Sequence, residues 1–112
     1  MKCSAEQHGQ IAIINVKGDV ILDHVEQLQK LVDQHIAKQA RDFVLEVSEV
    51  EFIGSAGLEA LIRLQDQCSD VLGQVRLVGV QENVSEILRI TRLKPRFDSH
   101  ETVDLAIKSL QV

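Results

Sequence analysis

Apolar residues in this chain follow two rhythms that alternate along its length. Ile11-Ala12-Ile13-Ile14-Asn15-Val16 is nearly continuous in apolar side chains, the pattern of a strand covered on both faces. Phe43-Val44-Leu45-Glu46-Val47 and Val75-Arg76-Leu77-Val78 are also rich in residues that fit a pleated surface. Between the first two runs, Val25, Leu28, Leu31, Val32 and Ile36 trace one face of an amphipathic helix from Asp23 to Gln39, with Asp23 as its N-cap. Lys17-Gly18-Asp19 separates that helix from the strand before it. Met1 to Glu6 reads as a short edge strand that ends at the polar turn Gln7-His8-Gly9-Gln10.

The second half repeats the alternation. Leu58, Leu61 and Ile62 recur at helical spacing, Cys68 extends the same side to about Asp70, and Gly73 ends the helix. With Leu58 at the centre of the stripe, Ala60 falls on the opposite side and Leu64 at the margin. Leu58, Leu61 and Ile62 are therefore expected in the core, and Ala60 and Leu64 on a partner-binding surface. Asn83 to Thr91 forms a third helix with Val84, Ile87, Leu88 and Ile90 inward, and Pro95 stops it. Phe97 and its neighbours suggest a last short strand, and Thr102 to Leu110 a last helix using Val103, Leu105, Ala106 and Leu110. Strands alternating with helices predict one α/β domain over residues 1–112, a mostly parallel or mixed sheet with about four helices packed on it.

The joint between the strand at 43–47 and the next helix is the most informative stretch. Gly54, Ser55, Ala56 and Gly57 are all small, and Ser55 lies at or near the first helical residue. Backbone N–H groups there lack intrahelical partners and the helix dipole favours an anion. Three roles compete for Ser55. As an N-cap its hydroxyl would contribute about 0.5–2 kcal/mol. As the nucleophile of a G-x-S-x-G elbow it would need glycine two residues earlier, where Ile53 stands. As a phosphorylation site it would place about −1.5 to −2 charges on a helix start. Residue type alone favours the cap.

Phe52-Ile53-Gly54-Ser55-Ala56-Gly57-Leu58 resembles the phosphorylation segment of STAS domains, particularly the bacterial anti-sigma factor antagonists. That family usually shows an apolar pair, Asp, Ser, then Ser, Thr or Ala, then Gly-Leu, opening a helix after the third strand. The similarity extends to element order and length over nearly the whole chain, and Gly18-Asp19-Val20 resembles the family's early Gly-acid-Leu. Two positions depart from it. Gly54 stands where the family usually has Asp, and Glu59 where a small residue is common.

The resemblance implies a regulatory binding protein without catalysis or a cofactor of its own. Its unmodified form would bind a partner serine-protein kinase or anti-sigma factor, phosphorylation at Ser55 would end that binding, and a serine phosphatase would restore it. Gly54, Ser55, Ala56 and Gly57 would form the partner-binding segment. Any ATP and magnesium would belong to the kinase. The alternative is a constitutive subunit, because small STAS proteins also occur beside the ATPase of bacterial phospholipid ABC transporters.

Composition narrows the remaining classes. The chain has 112 residues, enough for one compact domain, with 45% hydrophobic and 26% charged residues. With three Phe and no Trp or Tyr, the core must be aliphatic and nucleic-acid binding by base stacking has little support. A net charge of −5 argues against direct affinity for nucleic-acid phosphates. No apolar run is long enough for membrane insertion and no charged leader opens the chain, which predicts a cytoplasmic protein.

Cys3 and Cys68 give neither metal spacing nor a disulfide framework, and His8, His24, His35 and His100 are scattered. His35 reads as a packed or edge residue of its helix. Arg89, Arg92, Lys94 and Arg96 crowd the end of the third helix. They either complement its dipole or, through Arg92 and Lys94, dock an acidic partner. Glu46, Glu49, Glu51 and Glu59 lie near Ser55 in sequence and would repel an added phosphate.

Overall fold

A computed structural model describes residues 1–111; Val112, the last residue of the expected domain, lies outside them. Among the described residues there are five strands and four α-helices in the order β1 (Lys2–His8), β2 (Ile11–Lys17), α1 (Leu22–Ala37), β3 (Asp42–Glu49), α2 (Ser55–Asp70), β4 (Val75–Val78), α3 (Glu82–Ile90), β5 (Asp98–His100) and α4 (Val103–Leu110). A single 3-10 turn, Lys94–Arg96, contains Pro95 at its start. The strands form one sheet in the order β1-β2-β3-β4-β5, with β1 antiparallel to β2 and every other neighbouring pair parallel. The expected α/β architecture is the observed one.

Alternation along the strands divides the interior. Ala12, Ile14, Val16, Phe43, Leu45, Val47, Val75 and Leu77 face α1, α2 and α3, which supply Leu28, Val32, Leu61, Leu64, Val84 and Leu88 to the main core. Ile13, Val44 and Val78 point to the other face and meet Ala106 of α4. This explains the continuous apolar run at Ile11–Val16: β2 is covered on both sides. Each Leu or Val fully buried here contributes roughly 1.5–3 kcal/mol. His35 is buried as a strut, its Nδ1 2.8 Å from the Gln7 Oε1 atom, and burial pushes its pKa down. Cys68 is buried in the main core, as expected for a small apolar residue.

Several sequence expectations shift in detail. α1 begins at Leu22 after Ile21, without a side-chain cap, and Asp23 lies inside the first turn, where its charge complements the helix dipole. Ile90 is 66% exposed and Leu105 is also exposed, because α3 and α4 are short and bury only the centre of each apolar stripe. Gly73 does not itself adopt the left-handed conformation that ends α2; Leu72 does, at φ +62. Gly73 is needed for space, since a Cβ there would collide with the Arg41 carbonyl oxygen. α1 and α3 end the same way, with Gln39 (φ 69) and Arg92 (φ 64) in the left-handed position.

Candidate functional site

Two loops meet at the carboxyl ends of β2 and β3 and are joined by backbone hydrogen bonds. Gly18 N–H donates to the Glu49 carbonyl at 3.0 Å, Val20 N–H to Phe52 at 3.0 Å, and Gly54 N–H to Val20 at 2.9 Å. Val20 and Ile53 pair as an isolated parallel bridge. Both stretches singled out in the sequence, Gly18-Asp19-Val20 and Gly54-Ser55-Ala56-Gly57, are thus parts of one clasp. Gly18 takes φ +91, a backbone angle that favours glycine.

On this clasp α2 starts. Gly54 is the N-cap, with no side-chain cap, and its carbonyl accepts the Leu58 N–H at 3.0 Å to close the first turn. Ser55 is the first helical residue and is exposed. The capping role favoured by residue type is therefore not the one Ser55 plays; the cap position belongs to its neighbour. The hydroxyl stands at a helix start with no acidic residue in the first turn. Gly54 has φ −84, open to any residue. A Cβ there would lie 3.6 Å from the Phe52 ring and 3.8 Å from Ile21, at ordinary contact distance. An aspartate would fit, so glycine is not demanded by the backbone.

Gly57, Ala60 and Leu64 require a correction. Ala60 is 4% and Leu64 2% exposed, and Gly57 is buried too, so none of the three offers a side chain to a partner. The buried stripe of α2 is Gly57, Ala60, Leu61, Leu64 and Cys68, whereas Leu58 and Ile62 are only half-buried. The stripe's centre is rotated about 100° from Leu58, one residue's turn. The smallest member makes a close approach: a Cβ on Gly57 would come within 2.7 Å of the Val20 carbonyl oxygen and of Ile53. Gly57 thus sets how tightly α2 sits on the clasp.

What lies beside Gly54 at the start of α2 is apolar. Phe52, 48% exposed, comes from the loop before α2 and lies with Ile21 beside Gly54, and Leu22, 73% exposed, follows Ile21 as the first residue of α1. Sequence reasoning missed these residues. Their signal was an apolar residue at each loop end where a polar one is usual. The acids near Ser55 are partly engaged elsewhere. Glu46 accepts hydrogen bonds from the Ser48 N–H and hydroxyl at 2.8 and 2.7 Å, and Glu49 lies 3.3 Å from the Lys17 ammonium. Glu51 and Glu59 are exposed.

The basic cluster lies away from this surface. Arg96 is 3.9 Å from Asp66, eleven residues and roughly 16 Å along α2 from Ser55. Arg89 pairs with Glu86 within α3, which holds the Glu86 carboxyl below its usual range. Arg92 and Lys94 are exposed, and among the described residues neither has an ion-pair partner within 4.0 Å. Among the described residues no group of three or more His, Cys, Asp or Glu could hold a metal ion, and no helix is long and apolar enough to cross a membrane.

Residues 2–106 match the family model of the STAS domain. The chain belongs to the STAS domain family. A Bordetella bronchiseptica protein, BtrV, described as a candidate anti-sigma factor antagonist, is 26% identical over 112 residues, spanning 97% of both chains. Among solved structures, a candidate anti-sigma factor antagonist from Thermotoga maritima superposes with a TM-score of 0.89 at 20% identity, over 98% of this chain and 95% of that one. The anti-sigma factor antagonist SpoIIAA of Bacillus, in its unphosphorylated form, gives 0.85 at 18% identity, over 98% and 96%. The STAS assignment accounts for the shared fold and for a helix that opens immediately after a strand-end clasp.

Proposed function

We propose that this STAS protein is a partner-switching regulator of the anti-sigma factor antagonist type: unmodified, it binds a serine-protein kinase or anti-sigma factor, and phosphate on Ser55 ends that binding. The observation that carries this reading is Ser55 itself, an exposed hydroxyl on the first residue of a sixteen-residue helix without a side-chain cap, with the exposed Phe52 ring beside its neighbour Gly54. SpoIIAA, which shares the fold, is known in both unphosphorylated and phosphorylated forms. A kinase that uses ATP places the exchange in the cytoplasm, and a serine phosphatase would reset it.

The physical logic is a conflict between two environments. On the free protein, the helix start favours a phosphate dianion. In a complex, a partner seated on Phe52 and Ile21 beside Gly54 excludes water, and the same dianion must be desolvated there. Weakening a micromolar partner to millimolar needs only about 4 kcal/mol, within what one buried, unpaired charge costs. The test is mass spectrometry of protein incubated with its cognate kinase and ATP, followed by partner titration. Phosphate is expected on Ser55 with loss of affinity, and Ser55→Ala is expected to bind whether or not the kinase is active. Phosphate elsewhere, or on Ser55 without loss of affinity, favours a constitutive binding module such as a transporter subunit.

A further inference from the structure

The two edges of the sheet are unlike. β5 is three residues long and its first residue, Asp98, is tied back by Arg76 at 3.6 Å. β1 is seven residues long, without proline, glycine or bulge, and is paired in unbroken register with β2 from Lys2 opposite Lys17 to His8 opposite Ile11. Its outer edge offers a row of backbone donors and acceptors, and a strand of this kind templates the addition of another. Lys2, Ser4, Glu6 and His8 alternate onto the exposed face, while Cys3 and Ala5 pack on the core.

Among the described residues Lys2 has no ion-pair partner within 4.0 Å, and a second copy can supply one. Lys2 sits directly opposite Lys17, whose ammonium is already 3.3 Å from Glu49, beside an open depression of 360 Å³ lined by Lys2, Cys3, Ser4, Asn15, Lys17 and Gln27. Glu6 faces the apolar Ile13 across the ladder, and its ion partner in the single chain is the exposed His8 at 3.4 Å. We propose that β1 pairs edge to edge with β1 of a second copy of this chain, antiparallel about Ser4, so that Lys2 of each copy meets Glu6 of the other and the sheet runs on through both.

Charge selects this register over its neighbours. Moving the axis to Ala5 sets Lys2 opposite His8, and moving it to Cys3 sets Lys2 opposite Ser4; of the three, the axis at Ser4 brings Glu6 opposite Lys2. Edge pairing alone buries less than the roughly 800 Å² per partner of stable complexes, so a dissociation constant of about 10 μM to 1 mM is expected. Because the strands run antiparallel across the seam, the two Ser55 surfaces point to opposite ends of the dimer. The pairing is independent of the switch proposed above.

Sedimentation velocity over a concentration series tests the interface, and cysteine cross-linking tests the register. Lys2→Glu or Glu6→Lys alone should weaken self-association roughly tenfold, and the double exchange should restore it. In a Cys3→Ser background, Ser4→Cys should form an intermolecular disulfide under mild oxidation, since directly facing strand residues lie within bridging distance, whereas Ala5→Cys should not. Circular dichroism checks that each variant keeps its fold. A chain that stays monomeric at about 1 mM overturns the proposal. So do single charge reversals without effect, or cross-linking through Ala5→Cys in place of Ser4→Cys.

Discussion

At its C-terminal end α2 closes on itself: Gly73 N–H donates to the Cys68 carbonyl at 2.7 Å and Leu72 N–H to the Ser69 carbonyl at 3.0 Å. The chain then locks onto β3, where the buried Asp42 carboxylate accepts the Gln74 N–H at 2.8 Å. At its N-terminal end the same helix has no side-chain cap, no acid in its first turn and an exposed serine. One end has its polar groups met within the protein; the other leaves donors and a positive dipole end facing outward. The difference separates stability from recognition within a single helix, so changes at the two ends should have different consequences.

The largest effect is expected at the closed end. Gly73→Ala would drive a Cβ into the Arg41 carbonyl oxygen, a backbone atom that cannot swing away. The expected loss is about 3 kcal/mol or more of unfolding free energy in urea titration. A loss under 1 kcal/mol would show that the Arg41 turn is soft, and the contrast between the ends would weaken.

Next comes Cys68, on the last buried turn before that closure. Burial, reinforced by the Asp42 carboxylate, pushes its thiol pKa up to about 12 from an ordinary value of 9.0. A folded-state pKa above the unfolded one leaves stability intact below pH 9 and erodes it as pH rises toward 12, because only the unfolded chain readily gives up the proton. By pH 10 the loss should be about 1.4 kcal/mol. It is measured as the difference in pH dependence between wild type and Cys68→Ala; parallel curves would remove Cys68 from the account.

Leu72→Gly should act in the opposite direction. Leu72 holds a left-handed backbone angle while 88% exposed, so its side chain contributes little packing to offset the strain. Glycine there should raise stability by about 0.5–1 kcal/mol, seen as a higher urea midpoint at unchanged slope. The smallest effect on folding is expected at the open end. Ser55→Asp adds an acid to an uncapped helix start and should stabilise the fold by about 0.3–1 kcal/mol while weakening the partner complex. A variant that destabilises the fold and weakens binding together would mean that the two ends are not separable.

Much of this architecture was legible in the residues. Period-two and helical rhythms placed every element within a few residues, because burial on one face or two imposes those rhythms directly. The phase of α2 was not. Its stripe depends on Gly57 and Ala60, whose contribution is close approach rather than hydrophobic area, so the large Leu58 drew attention to a flank. Cys68 did carry the correct phase, lying on the same side as Leu61 and Leu64. At the site, the position of Ser55 followed from local sequence. The meeting of Ile21 and Phe52 beside Gly54 did not, because it depends on hydrogen bonds between loops about thirty residues apart.

The clasp that joins Gly18 and Val20 to Glu49, Phe52 and Gly54 has a consequence for how a signal would be written here. Its bonds belong to the backbone and extend the parallel pairing of β2 and β3 past their ends. The ground beneath Ser55 is therefore a stiff plate, with amide exchange expected to be as slow as in the strands themselves. Under the proposed switch, a modifying group changes what is printed on the plate and leaves the plate undeformed. A partner reads charge, with no refolding step between modification and release, and the tempo of signalling is set by how fast that partner lets go.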